Sequence, residues 1–123
     1  MIHVLATIEL HPGTRAQWLD SFRLVMPKVH AEDGCLAYEA CVDVESGLAA
    51  QAAIGPDRVL IIERWRDLAA LKAHAAAAHM GEHRARVKAY VKATSLQVLQ
   101  AAEARLRAHP DAARGLPARA AGG

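Results

Sequence analysis

The first ten residues alternate. Ile2, Val4, Ala6, Ile8 and Leu10 fall on one face and His3, Leu5, Thr7 and Glu9 on the other, the period-two pattern of a half-buried strand over residues 2–10. His11-Pro12-Gly13 breaks the pattern, and Thr14 followed three residues later by Gln17 has the form of a capping box that opens a helix. Trp18, Phe22, Val25 and Val29 then recur at helical spacing, flanked by Leu19 and Met26, so one stripe of this helix faces a core. Pro27 is expected to kink the helix, because it removes a backbone donor and crowds the preceding turn, and Gly34 to terminate it.

A second alternating run covers about 35–44, with Leu36, Tyr38, Ala40, Val42 and Val44 on one side and Cys35, Ala37, Glu39, Cys41 and Asp43 on the other. Residues 45–57, ESGLAAQAAIGPD, carry two glycines, a proline and no clean period; they read as a loop of the kind that borders a pocket. The third strand, 58–66, is apolar on both faces: Val59 and Ile61 share a side with Glu63 and Trp65, while Leu60 and Ile62 point the other way. Such a strand has to be covered twice. Asp67 is suited to cap a short helix carrying Leu68, Leu71 and the alanines at 75–78. A further helix from His79 to about Lys92 would set His79, His83, Val87 and Tyr90 along one stripe, and residues 94–100, TSLQVLQ, return as a last strand.

The order strand, helix, strand, strand, helix, strand predicts an α+β, ferredoxin-like antiparallel sheet with helices on one face. The open face is then expected to pack on the sheet of a second copy, giving a homodimer. With 123 residues the chain has room for one domain, placed at 1–101. Residues 102–123 differ in composition, rich in alanine and arginine and punctuated by Pro110 and Pro117, and are expected to form a short helical extension followed by a flexible arm.

Charge and composition narrow the function classes. A net charge of +2, with no cluster of basic residues interleaved with aromatics, argues against nucleic acid as a partner. The amino terminus lacks a basic leader and no apolar run approaches the roughly 18 to 20 residues that span a bilayer, so a cytoplasmic protein with no membrane partner is expected. Cys35 and Cys41 lie on one strand about 20 Å apart at the usual rise, too far to pair, which fits a reducing compartment. Only five residues are aromatic, Trp18, Phe22, Tyr38, Trp65 and Tyr90, so any pocket is walled mainly by aliphatics.

The side chains suited to chemistry concentrate between Val59 and Met80. His74 and His79 come first, since neutral imidazole near pH 7 is the usual general base; the alternative is an ordinary helix histidine and a helix cap. Glu63, if its face looks toward the helices, is a buried carboxylate that either pairs with a cation or has a raised pKa, in a structural or a catalytic role. Trp65 either lines a pocket or belongs to plain core. His79 and His83 have the four-residue spacing of two helical metal ligands, but the pattern fixes no third ligand and no metal site is expected. Tyr38 and Tyr90 either donate to a phenolic substrate or pack at a rim. The chain has no Gly-rich phosphate loop and no Gly-x-Ser-x-Gly elbow, so neither a classical cofactor site nor serine hydrolase chemistry is supported.

Glu63-Arg64-Trp65, then Leu71, His74, His79 and Met80, resembles the signature of the antibiotic biosynthesis monooxygenase family, particularly its quinol monooxygenase branch. Further matches are the Pro27 helix leading into Glu32, then Gly34-Cys35 and Tyr38, Asp43 before a glycine-containing loop, and Val87-Lys88. The resemblance spans about residues 2–100. It implies a dimeric α+β barrel with a pocket between the sheet and helices of each subunit. It also implies oxidation of a small electron-rich aromatic, such as a hydroquinone or anthrone, by O2, typically with no flavin, haem or metal cofactor. On that basis His74 or His79 is the base, with His74 favoured; Glu63 orients a histidine or bonds the phenol; and Trp65, Tyr38, Tyr90 and Leu71 contact the substrate. The chain contains no asparagine, which weighs against the haem-degrading relatives of this fold. Two other readings remain: a cofactor-free isomerase or decarboxylase, and a small-ligand or haem-binding module without turnover.

Overall fold

The computed structural model describes residues 1–103. Seven elements follow one another: β1 (Ile2–Leu10), α1 (Arg15–His30), β2 (Cys35–Cys41), β3 (Arg58–Trp65), α2 (Leu68–Ala76), α3 (Ala78–Val87) and β4 (Val91–Leu99). The strands form one sheet in the order β2-β3-β1-β4, every pair antiparallel. This is the ferredoxin-like βαββαβ arrangement, its second helix broken into α2 and α3.

The alternation in β1 decides which face is inside. Val4, Ala6, Ile8 and Leu10 are buried under the helices, and the register Val4↔Glu63, Ala6↔Ile61 and Ile8↔Val59 places the odd-numbered residues of β3 beside them. Trp18, Phe22, Val25 and Val29 of α1 close over this layer. Burying that apolar area is the main term holding helices to sheet. The opposite face is open in the single chain: Ile62 and Leu99 are exposed, and Leu5 and Leu60 only half-buried. β4 also projects beyond the helices, so Leu96 and Val98 are exposed although they pair with the buried Ala6 and Val4.

Several local expectations are corrected. Thr14 caps nothing: its hydroxyl donates to the His11 carbonyl (2.8 Å), so no capping box forms. Helix α1 contains Pro27 and ends at His30, before Gly34, with the Pro27 carbonyl accepting from Ala31 N–H (3.1 Å). β2 ends at Cys41, and a bulge between Cys35 and Ala37 takes Leu36 out of the Tyr38 face into solvent. The loop after β2 closes on itself, the Asp43 carboxylate accepting from Ile54 and Gly55 N–H (both 2.9 Å), at the end of the sheet away from Trp65, and none of its residues lines the cavity between sheet and helices. Helix α3 stops at Val87 and β4 begins at Val91, so Tyr90 leaves the helical stripe for a turn, where its carbonyl accepts from His11 N–H (2.9 Å). Most of the 102–123 extension, from residue 104 onward, lies outside the described residues.

Two connections set where the helices meet. Ala77, extended at φ −65° and ψ 142°, separates α2 from α3 and turns the second segment back toward the turn after α1. Asp67 caps α2, accepting from Ala70 N–H (2.9 Å). The turn after α1 is held in place by Gly34: its φ of +85° suits glycine, a Cβ there would meet the Ala70 Cβ at 2.6 Å, and its carbonyl accepts from Arg66 N–H (2.8 Å). Glu32 sits in this turn, drawn in against α2.

Candidate active site

A cavity of about 520 Å³ lies between the inner face of the sheet and the helices, within the usual size of a small-molecule site. Its walls are mostly apolar, including Val4, Ala6, Ile8, Trp18, Ile61, Leu71, Met80 and Val87, and its polar groups are few: Tyr38, Glu63, His74, His83, Thr94 and the cations Arg84 and Lys88.

His74 is buried, and its ring lies between two aromatics: Trp65 at 4.6 Å between centroids and tilted 35°, Tyr38 at 5.3 Å and edge-on. Its Nδ1 lies 3.0 and 3.2 Å from the two oxygens of Glu32, and Nε2 of His79 approaches the nearer of those oxygens at 2.6 Å. A carboxylate offers only lone pairs, so both imidazoles donate to it. With the proton on Nδ1, neutral His74 keeps the lone pair of Nε2 on a ring that lines the cavity. Glu32 thus fixes the tautomer in the way a buried carboxylate does in a hydrolase triad.

Glu63 enters from β3. It is buried on the inner face, and its carboxyl accepts from the indole N–H of Trp65 (2.9 Å). Burial holds its pKa above the ordinary carboxylate value, partly offset by that hydrogen bond and by His74. Burial, with Glu63 and Glu32 nearby, likewise raises the phenol of Tyr38, which therefore stays protonated and serves as a donor rather than a base.

The second imidazole of the cavity is different. His83 is buried on α3, its Nδ1 2.9 Å from Ser21 Oγ of α1 and its ring edge-on to Trp18. Burial and the charges of Arg86 and Arg84 push its pKa down to about 4. Taking the ordinary 6.5 for the unfolded chain, only that chain gains a proton here between about pH 6.5 and about pH 4. Stability is therefore full above the window and falls as pH drops through it, by on the order of 2 kcal/mol. Thermal melts at pH 7 and pH 4.5 check this: the wild type should lose more stability across that interval than His83→Phe. Equal losses would show that His83 is not held neutral.

Of the residues singled out in the sequence, the fold brings His74, Glu63, Tyr38 and Leu71 to the cavity wall. Trp65 is fully buried behind His74, His79 stands behind Glu32, and Tyr90 is half-buried against the core; none of these three is on the wall. His79 and His83, one turn apart on α3, bond to different partners, Glu32 and Ser21. Glu32, quoted only for the resemblance, Ser21 and the cavity position of His83 were given no place in the site. Ser21 carried a readable signal: a hydroxyl three residues after Trp18 and four before Val25, inside an otherwise apolar stripe. Among the described residues no helix is long and apolar enough to cross a membrane.

Comparison with known proteins agrees with this fold. Residues 1–86 match the family described as antibiotic biosynthesis monooxygenase. The chain is 35% identical over 102 residues, 81% of this chain and 97% of the relative, to the protein named "Probable quinol monooxygenase YgiN" in Escherichia coli K12. Among solved structures, an antibiotic biosynthesis monooxygenase superposes with a TM-score of 0.68 at 26% identity, covering 82% of this chain and 98% of the other. PA3566 from Pseudomonas aeruginosa does so with a TM-score of 0.66 at 25% identity, covering 81% and 92%. With the fold, the span of the family match and the level of identity in agreement, the chain belongs to the antibiotic biosynthesis monooxygenase family.

Proposed function

We propose that the protein is a monooxygenase that oxidises a small electron-rich aromatic, a hydroquinone or anthrone-like compound, with O2 and without a cofactor. The observation that carries this reading is His74: a buried imidazole on the wall of an apolar cavity, its Nδ1 committed to Glu32 and its Nε2 left for a substrate proton. The monooxygenase relatives support the reaction class.

The chemistry asks little of the protein. Triplet O2 reacts slowly with a neutral singlet aromatic but accepts one electron from its anion. His74 takes the phenolic proton on Nε2, and the anion passes one electron to O2. The aryloxyl radical and superoxide then couple through a carbon–oxygen bond. Return of the proton gives a hydroperoxide whose O–O bond breaks with loss of water, leaving one oxygen atom on the ring carbon. For a hydroquinone the sum is hydroquinone plus O2 giving hydroxyquinone plus water. The apolar wall keeps bulk water from the radical pair. Glu63, its carboxyl raised by burial, is suited to hold a proton beside the substrate. On this reading His79 positions Glu32 rather than acting as the base.

Oxygen uptake by metal-free enzyme, measured against hydroquinones, naphthohydroquinones and anthrones and corrected for their spontaneous oxidation, tests the proposal. Saturable uptake with hydroxylated product supports it. No uptake above background across the panel would turn the assignment toward proton-transfer chemistry or ligand binding in the same cavity.

The open sheet face belongs to the same proposal. Leu60 and Ile62 of β3 with Leu5 and Leu99 form an apolar band on the face away from the helices, which a second sheet would cover. Light scattering at micromolar concentration should therefore give twice the chain mass, and Ile62→Glu should shift it toward the monomer. A wild-type monomer would overturn the dimer.

A further inference from the structure

The cavity holds two histidines, and only one of them is explained by a base. The proposed oxidation uses His74 and leaves His83, a buried imidazole on the wall of the same cavity, without a task.

Its protonation can be deduced from its partners. The guanidinium of Arg86 donates from Nε to Ser21 Oγ (2.8 Å) and from a terminal nitrogen to the Ser21 carbonyl (3.4 Å), and a guanidinium cannot accept. The hydroxyl therefore spends an acceptor position on Arg86 and still has its own proton to place. Ser21 is 6% exposed, and among the described residues the one acceptor within reach of that proton is Nδ1 of His83, 2.9 Å away. A buried hydroxyl that left its proton unbonded would lose the hydrogen bond it had in water. The relay thus runs Arg86 to Ser21 to His83. It makes Nδ1 the acceptor and puts the ring proton on Nε2. Arg84 and Arg86 both disfavour a second proton on the ring, as does burial. Nε2–H meets no protein acceptor among the described residues, while the ring that carries it lines the cavity.

We propose that His83 is a fixed neutral hydrogen-bond donor that positions a second substrate oxygen, the one His74 does not deprotonate, so that the cavity selects dioxygenated aromatics over mono-oxygenated ones. The proposal rests on the reading of this cavity as the site of aromatic oxidation and deepens it. The two imidazoles carry opposite proton inventories, a lone pair at His74 Nε2 and an N–H at His83 Nε2. A ring with one acidic hydroxyl and one further hydroxyl or carbonyl satisfies both. A donor that a bound ring covers and leaves unpaired is also a penalty against a ring lacking the second oxygen. His83 is a positioning residue in this scheme: it moves no proton and takes no part in the transfer of electrons.

The test reads the tautomer directly. In the full chain with ¹⁵N-labelled histidine, the ring nitrogens of His83 should report Nδ1 as the acceptor and Nε2 as protonated, unchanged between pH 5.5 and 8. Addition of 1,4-naphthoquinone, whose two carbonyls mimic the product, should shift the Nε2 resonance. In turnover of 1,4-naphthohydroquinone, His83→Phe should raise KM by about five- to tenfold with a smaller change in kcat, and His83→Gln, which keeps a donor, should recover part of it. A proton on Nδ1, or titration near pH 6.5, would overturn the proposal. So would naphthoquinone that quenches tryptophan fluorescence yet leaves Nε2 unmoved. If Nε2 responds to naphthoquinone while no compound in the oxygen-uptake panel is oxidised, the donor stands and the oxygenase reading falls. If the wild type oxidises naphthohydroquinone and His83→Phe leaves KM unchanged, the oxygenase reading stands and the donor falls.

Discussion

Replacing His74 with alanine should slow oxygen uptake on a naphthohydroquinone by about 10²- to 10⁴-fold, the usual share of a positioned general base. The size of the effect follows from where the ring sits. Among the described residues His74 is the one imidazole whose Nδ1 bonds a carboxylate and whose ring also lines the cavity: His79 touches Glu32 from outside, and His83 offers a proton rather than a lone pair. Tyr38 cannot take over, because it is held as a phenol. The variant also opens a gap between Trp65 and Tyr38, so its melting temperature has to be recorded beside its rate. That gap offers a control, since added imidazole can occupy it, and partial rescue separates a missing base from a collapsed pocket. Turnover at the wild-type rate would remove His74 from the mechanism.

How much of this was legible in the chain depends on the range of the interaction. β1 was, because burial of one face imposes a period of two that local sequence carries, and β3 was as a short apolar run with both faces to cover; a slip of one residue would put Val4 and Ile61 on the wrong face. The junction between the last two helices was legible as well, and it proved to be Ala77. Leu36 misled because a bulge shifts every face beyond it, and nothing in CLAYEAC marks which residue is extra. The end of α3 misled because 88–90 has the composition of a helix and is ended by its tie to the segment before α1. The site was the least legible part. Glu32 reaches His74 and His79 across 42 and 47 residues, and Ser21 reaches His83 across 62. A turn glutamate carries no periodic signal of such partners, and a serine in an apolar stripe signals its burial without naming the group it meets. The sequence pointed to the histidines, and the fold supplied the groups that decide which nitrogen of each carries the proton.

That dependence on a distant carboxylate leads to the second large effect. Glu32→Gln changes one atom and should cost turnover nearly as much as losing the base, by about 10²- to 10³-fold, for the reason that an asparagine in place of a triad aspartate does. In the wild type both imidazoles donate to Glu32, His79 to Oε2 at 2.6 Å and His74 to the pair of oxygens at 3.0 and 3.2 Å. A glutamine keeps one acceptor oxygen. The short contact from His79 holds it at the Oε2 position, 3.0 Å from His74 Nδ1, and the amide nitrogen takes the Oε1 position, 3.2 Å from the same Nδ1. An amide N–H donates, so it opposes the proton on Nδ1 and favours the tautomer with the proton on Nε2, where the lone pair was needed. The cavity, its apolar walls and the stacking on Trp65 are untouched, so KM should change much less than kcat. The ¹⁵N shifts of His74 should exchange their pattern between wild type and variant, a readout independent of turnover. Glu32→Asp keeps two acceptors and should retain more activity than Glu32→Gln despite its shorter reach. The opposite ranking, with the Gln variant near wild type and the His74 nitrogens unchanged, would mean that Glu32 serves only to hold the turn against α2 and that the tautomer of His74 is set elsewhere.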